Sequence, residues 1–241
     1  MSSNTEAARA LLTTGDGTLK FVYFNFEGAG EPVRMALSVA DIPFDDVRMP
    51  YQEWAAKKPT MKHGVVPQMT LPDGTIVTES MAMLRLAGEA DPEGKLYPPT
   101  DVLGRLKIEQ VLGCTMDMTR AWQPAMYIGM RPQKFGYPPK DEWADADATI
   151  KKLRADFIEK EMPRFLGYFK DYLKEGGDQF LCGESLTIAD IHAYNTIHYF
   201  RRGIADHVPK ESLEPYPEIL AWLDRVDAHP KVAAYKAAKK A

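Results

Sequence analysis

The sequence predicts an α/β domain followed by an all-α helical domain, and three observations lead there. Up to residue 91 short strand-like and helix-like apolar stretches alternate. The stretch Asp91-Pro92-Glu93-Gly94-Lys95-Leu96-Tyr97-Pro98-Pro99-Thr100 is then Pro-rich, polar and without periodicity, as a linker between domains would be. Beyond it the apolar residues recur at helical spacing only. With 241 residues, 45% of them apolar, the chain is long enough for two cores at about 150 residues per domain. The expected division is an extension over 1–18, an α/β domain over 19–91, a linker over 92–101 and a helical domain over 102–241.

Residues 1–18 lack the charged start and apolar centre of a signal peptide and are expected to be disordered. Leu19 to Phe24 alternates as a strand and brings Tyr23 to its carboxyl edge, just before Gly28 and Gly30. Ligands of α/β proteins sit at that edge, so Tyr23 either points its hydroxyl into a site or only packs. Glu31 to Ala40 reads as a helix and Phe44 to Arg48 as a second strand; a short helix follows near Gln52 to Lys58. Gln68 to Leu71 and Ile76 to Thr78 flank Pro72-Asp73-Gly74, whose residues supply turn dihedrals and predict a hairpin. Ser80 is placed to cap a helix running to Gly88. The order βαβ then ββα is that of a thioredoxin-like domain.

In the second half, Leu103, Leu106, Val111 and Leu112 form one apolar face, and Ile150 to Leu173 carries another that Pro163 should kink or restart. The segment Gln123 to Asp147 between them is rich in Pro, Tyr and charge, and is long enough to be either functional or padding. Thr187 and Asp190 have capping-box spacing, with Leu186 and Ile191 as a hydrophobic staple, so a helix starts there. His192 and His198 on that helix are six positions apart, which does not put two ligands on one face, and no metal site is expected. Tyr216 to Leu223 opens a further amphipathic helix with a proline tolerated at its first turn.

Composition narrows the partners. The net charge of -4, from 30 basic and 34 acidic residues, gives no pull toward nucleic acid. Cys114 and Cys182 form no Cys-x-x-Cys pair, as expected of a reduced, cytoplasmic compartment. No stretch approaches the run of about eighteen apolar residues that a membrane span needs, so no membrane partner is expected.

Val22-Tyr23-Phe24-Asn25 with Gly28 to Arg34, the Val66-Pro67 step, Glu79-Ser80, the run Ser185 to Asp190 and Tyr216 to Pro230 occur in register over nearly everything after residue 18. In this order they resemble the cytosolic glutathione transferases, closest to the sigma class and its mu and pi relatives. The resemblance implies a homodimer that takes glutathione as co-substrate and conjugates it to small apolar electrophiles, a detoxification chemistry. It implies that Tyr23 donates its hydroxyl proton to the glutathione sulfur. A hydrogen bond to a charged group contributes about 1.5 to 3 kcal/mol, or roughly one to two units of thiol pKa. From a free thiol value of about 8.5, that raises the thiolate at neutral pH from a few per cent to around half.

The same resemblance assigns Val66 and Pro67, as a cis peptide, to the cysteinyl backbone of the tripeptide. Ser80 and its helix start are assigned to the γ-glutamyl carboxylate, Glu79 to the γ-glutamyl amine, and Trp54 and Lys58 to the glycine carboxylate. A second-substrate pocket between the domains is expected from Phe26, Met118, Trp122, Tyr127 and Phe200, all of which also read as core residues. Several positions depart from the family pattern. Glu79 replaces a usual glutamine, Ala29 stands where a basic residue often tunes the thiol, and His63 replaces the aromatic dimer key. Cys114 replaces an aspartate that reaches the partner subunit's glutathione, a role left to Asp117. The alternatives are a glutathione-dependent isomerase or peroxidase of the prostaglandin D synthase kind, and a non-catalytic ligandin- or crystallin-like binding protein.

Overall fold

The computed structural model describes residues 2–240. A four-stranded sheet of order β2-β1-β3-β4 is built from β1 (Lys20–Phe24), β2 (Asp45–Met49), β3 (Gln68–Thr70) and β4 (Ile76–Val77). β1 lies parallel to β2, with Tyr23 opposite Arg48, and antiparallel to β3, which forms the expected hairpin with β4. The crossover is α2 (Glu31–Val39), which starts at Pro32 in its first turn and is buried along nearly its whole length. The second strand runs one residue later than expected. The predicted helix near 52–58 shrinks to α3 (Trp54–Lys57) between 3₁₀ turns.

The N-terminal extension is not disordered. Ser2 caps α1 (Ser3–Thr13) by accepting from the Thr5 N–H, and Thr5, Ala8 and Leu12 are buried. Arg9 then donates to the carbonyls of Ala40 (2.9 Å) and Ala90 (2.8 Å), satisfying backbone acceptors at the ends of two other helices. Because Leu12 is fully packed, Leu12→Ala should lower unfolding free energy by about 2–5 kcal/mol. Urea unfolding checks this, and a change below about 0.5 kcal/mol would mean that α1 adds nothing to the fold.

After α4 (Ser80–Glu89) the linker is ordered by buried Asp91, whose carboxylate accepts from the backbone of Glu93, Lys95 and Leu96. Helices follow: α5 (Val102–Tyr127), α6 (Ala146–Asp156), α7 (Met162–Glu175), α8 (Ile188–Arg201), α9 (Pro217–Ala228) and α10 (Pro230–Lys240). The tyrosine-rich segment is shorter than expected, since α5 continues to Tyr127 with Pro124 inside it. Between α6 and α7 the chain makes a π turn over Phe157–Glu161, where the Met162 N–H donates to the Phe157 carbonyl, and Pro163 sits in the first turn of α7. The proline therefore restarts the helix at a point where it needs no N–H donor.

The predicted capping box opens α8. Asp190 is fully buried, and its carboxylate accepts from Leu181 N (2.8 Å), Thr187 N (3.0 Å), Thr187 Oγ1 (2.8 Å) and Trp222 Nε1 (3.0 Å). The two domains meet closely: a Cβ on Gly88 would stand 2.7 Å from Ile188, so only glycine lets α4 and α8 approach. Leu103 and Leu106, expected to pack, are instead 63% and 57% exposed, beside Val102 at 81%.

Candidate functional site

Tyr23 is at the carboxyl end of β1, buried, with its ring against the turn Gly28–Gly30. A Cβ on Gly30 would lie 2.4 Å from the Tyr23 ring, and one on Gly28, whose φ is +43°, 2.5 Å from the hydroxyl. Both positions therefore need glycine. The Ala29 N–H donates to the Tyr23 hydroxyl oxygen at 3.0 Å. That occupies an acceptor lone pair, while the hydroxyl's own proton has no acceptor among the described residues. Burial pushes the phenol above its usual pKa; the Ala29 bond opposes this, Tyr127 adds to it and Arg34 weakly lowers it. Tyr23 is thus a neutral donor at physiological pH, with its proton free to give.

Arg34 is a site residue for which the sequence offered one signal, a basic residue within the mostly apolar run from Pro32 to Val39. It is completely buried and donates to Asp46 Oδ1 (2.8 Å) and the Phe24 carbonyl (3.1 Å). Its guanidinium lies 5.4 Å from the Phe21 ring centroid and 5.6 Å from that of Tyr23. The cation fixes the ring it stacks on.

The other predicted binding groups lie just before β3, at the start of α4, and along α3 and the turn that follows it. The Val66-Pro67 bond is cis, and neither the Val66 N–H nor its carbonyl has a hydrogen-bond partner among the described residues. Glu79 takes the cap position of α4 with φ +71° and ψ 104°, and Ser80 is the first helical residue rather than the cap. No side chain caps the helix, so the first-turn amides of Ser80 and Met81 are left free, as at an anion-binding helix end. A non-glycine residue at such a φ costs about 1–3 kcal/mol, and strain of that kind concentrates at ligand sites. Trp54 is half-buried with its ring 5.6 Å from Phe24, while Lys58 is exposed at the end of the same short helical stretch.

The expected second-substrate residues divide into two groups. Phe26, 46% exposed, stacks on Phe24 at 5.0 Å and stands 5.9 Å from Tyr23. Tyr127 is near enough to act electrostatically on the Tyr23 hydroxyl. These two lie beside Tyr23. Met118 and Phe200 are instead fully buried in the helical core. Trp122 packs against Phe157 (4.9 Å) and Phe200 (5.2 Å), and its buried indole N–H has no partner. The rings of α5, α8 and the π turn fill one another's space, which removes Met118 and Phe200 from any open lining. Sequence reading also missed Tyr51 and Arg131, which join the domains by a 3.1 Å hydrogen bond from the Arg131 guanidinium to the Tyr51 hydroxyl. Asp117 is exposed on α5, paired with Arg120 at 2.5 Å.

Residues 142–239 match the family model described as the C-terminal domain of glutathione S-transferase. The chain is 28% identical over 220 residues to a hematopoietic prostaglandin D synthase of Gallus gallus, covering 90% of this chain and 94% of that protein. It is equally 28% identical over 219 residues to a glutathione S-transferase of Anopheles gambiae, covering 90% and 94%. The prostaglandin synthase D of Nilaparvata lugens superposes with a TM-score of 0.73 at 26% identity, covering 91% of this chain and 97% of that one. Its second half thus matches the glutathione S-transferase family model, and the whole chain is similar to proteins of that name. The free amides at Val66 and at the start of α4, and the proton of Tyr23, fall toward one end of the sheet. Tyr23 is on β1, Val66 stands two residues before β3, and Ser80 begins the helix that follows β4. Cys182, half-buried and pushed well above the usual thiol range by desolvation, and Cys114, raised to about 11 by burial and then by Asp117, are poor nucleophiles. Neither competes with a bound thiol.

Proposed function

We propose that the protein is a glutathione transferase of the sigma type that ionises the glutathione thiol at Tyr23 and adds the thiolate to small apolar electrophiles. The single observation carrying this reading is the hydroxyl of Tyr23, which accepts from the Ala29 N–H and has no acceptor for its own proton. A thiolate placed there is that acceptor. The cysteinyl backbone pairs with the Val66 N–H and carbonyl beside Pro67. The γ-glutamyl carboxylate takes the free amides of Ser80 and its neighbour, and Glu79 holds the amine. Trp54 and Lys58 receive the glycine carboxylate. Phe26 and Tyr127 offer aromatic surface to the electrophile, with Trp122 behind them.

The proton balance is simple. The thiol proton leaves to solvent, Tyr23 keeps its own while donating a hydrogen bond to sulfur, and the sulfur lone pair forms the new bond to the electrophilic carbon, from which chloride departs with the bonding pair when the electrophile is a chloronitrobenzene. The same reading carries a cytoplasmic homodimer in a detoxification role. The exposed apolar row Val102, Leu103 and Leu106 supports the dimer, and Asp117 on the same helix is the group offered to the partner subunit's glutathione. No helix among the described residues is long and apolar enough to cross a membrane.

The test is calorimetric binding of glutathione, the ultraviolet thiolate band of the bound tripeptide, and conjugation of a chloronitrobenzene. Binding with a thiolate band at neutral pH and turnover is the expected result. Absence of glutathione binding would overturn the assignment in favour of a non-catalytic binding protein.

A further inference from the structure

The turn that carries the Ala29 N–H has no side chain able to hold it in place. Gly28, Ala29 and Gly30 contribute at most a methyl group, and glycine backbones lose the most conformational freedom on ordering. What fixes the turn lies at its two ends, where Glu27 precedes it and Glu31 begins α2. Both carboxylates are gripped from the far end of the chain. Lys239 on α10 donates to Glu27 Oε1 (3.0 Å) and Glu31 Oε1 (2.7 Å), and the Tyr235 hydroxyl donates to Glu31 Oε1 (2.9 Å). Arg202, just past α8, pairs with the other oxygen of Glu27. Glu31 is buried, its second carboxylate oxygen has no hydrogen-bond partner, and Arg34 stands 3.8 Å from it. This is therefore not a chance pairing of surface charges, since one partner is out of water and depends on these cations.

The network also bears on charge. Two carboxylates flanking a forming thiolate would disfavour it, and cations beside them cancel that field. Burial alone would raise Glu27, yet Lys239 and Arg202, with His198 also facing it, hold it below the usual carboxylate range.

We propose that α10 is a positioning element for Tyr23: Lys239 and Tyr235 hold Glu27 and Glu31 at the two ends of the Gly28–Gly30 turn and so keep the Ala29 N–H on the Tyr23 hydroxyl. The proposal rests on the reading of Tyr23 as the thiolate donor. It makes the last turn of the chain, remote in sequence, part of the apparatus that sets the thiol's acidity.

The experiment uses the full-length protein with Lys239→Met, Tyr235→Phe, Lys239→Arg and Tyr23→Phe. Amide exchange of residues 28–30, glutathione affinity and the pKa of the bound thiol are read for each. Loss of a partly buried pair of this kind corresponds to roughly half a pH unit or more, so Lys239→Met should raise the thiol pKa by about 0.5 and lower kcat/KM about threefold at neutral pH. Exchange at residues 28–30 should rise severalfold and glutathione affinity should hold within about twofold. Lys239→Arg should restore both, and Glu27→Gln in the Lys239→Met background should recover part of the pKa. Unchanged exchange in both Lys239→Met and Tyr235→Phe overturns the proposal. Faster exchange with an unmoved thiol pKa, in a protein where Tyr23→Phe does move it, overturns the coupling alone. A Tyr23→Phe variant with an unmoved pKa overturns the thiolate reading beneath it, whatever Lys239 does.

Discussion

Tyr23→Phe should lower kcat/KM for chloronitrobenzene conjugation about ten- to hundredfold at neutral pH, the equivalent of about 1.5–3 kcal/mol for a hydrogen bond to a charged acceptor. The substitution removes one oxygen and keeps the ring, which Arg34 and the turn glycines hold in place. The signature is in the pH profile. The bound thiol should titrate roughly one to two units higher, so the defect narrows as pH rises and glutathione ionises without help. Glutathione affinity should change little, because the backbone contacts at Val66 and at the start of α4 are untouched. A variant with the wild-type profile would remove Tyr23 from the chemistry. Tyr23 itself is held in the neutral form by burial, so its own ionisation does not enter the physiological range.

Asp190→Ala should be the most destabilising single substitution considered, at about 3–5 kcal/mol. Four donors converge on this fully buried carboxylate, and truncation leaves Leu181 N, Thr187 N, Thr187 Oγ1 and Trp222 Nε1 without an acceptor. Each buried orphan of that kind costs about 1–3 kcal/mol if nothing replaces its partner. For a chain of this length the midpoint of thermal unfolding should fall by roughly 6–20 °C. Asp190→Asn should lie between, since its carbonyl can still serve the Leu181 and Trp222 donors while its amide meets the Thr187 N–H. A loss under about 1 kcal/mol in Asp190→Ala would show that the start of α8 is held by the Leu186 and Ile188 packing alone.

The elements that sequence made legible are those whose instructions are local. Thr187 and Asp190 are three residues apart and bond each other, so the start of α8 is written within one turn. The hairpin at Pro72-Asp73-Gly74 and the restart at Pro163 are likewise decided by the dihedrals and missing donors of the residues present. The strand, glycine turn and helix around Tyr23 could be read, but not whether the hydroxyl was engaged, because that depends on where the Ala29 N–H points. What escaped was decided at a distance. α1 has only Thr5, Ala8 and Leu12 as its buried stripe and needs the carbonyls of Ala40 and Ala90 for Arg9. Met118 and Phe200 carry the right chemistry for a pocket, yet both are buried in the helical core, where the rings of Trp122 and Phe157 pack on Phe200. Glu79 displaced Ser80 from the cap through a backbone angle that composition does not encode.

The π turn at Phe157–Glu161 makes chain length at that point a phase setting. Each residue added to or taken from an α-helix turns everything beyond it by about 100°. The wide turn takes up one residue more than an α turn would, and α7 leaves it with Phe165, Leu166, Phe169 and Leu173 turned toward the core. Deleting one residue within this turn would return an ordinary α turn with α7 in the same phase, whereas deleting one from the regular turns of α6 would swing the apolar stripe toward water, so a shortening is tolerated at the wide turn and not beside it.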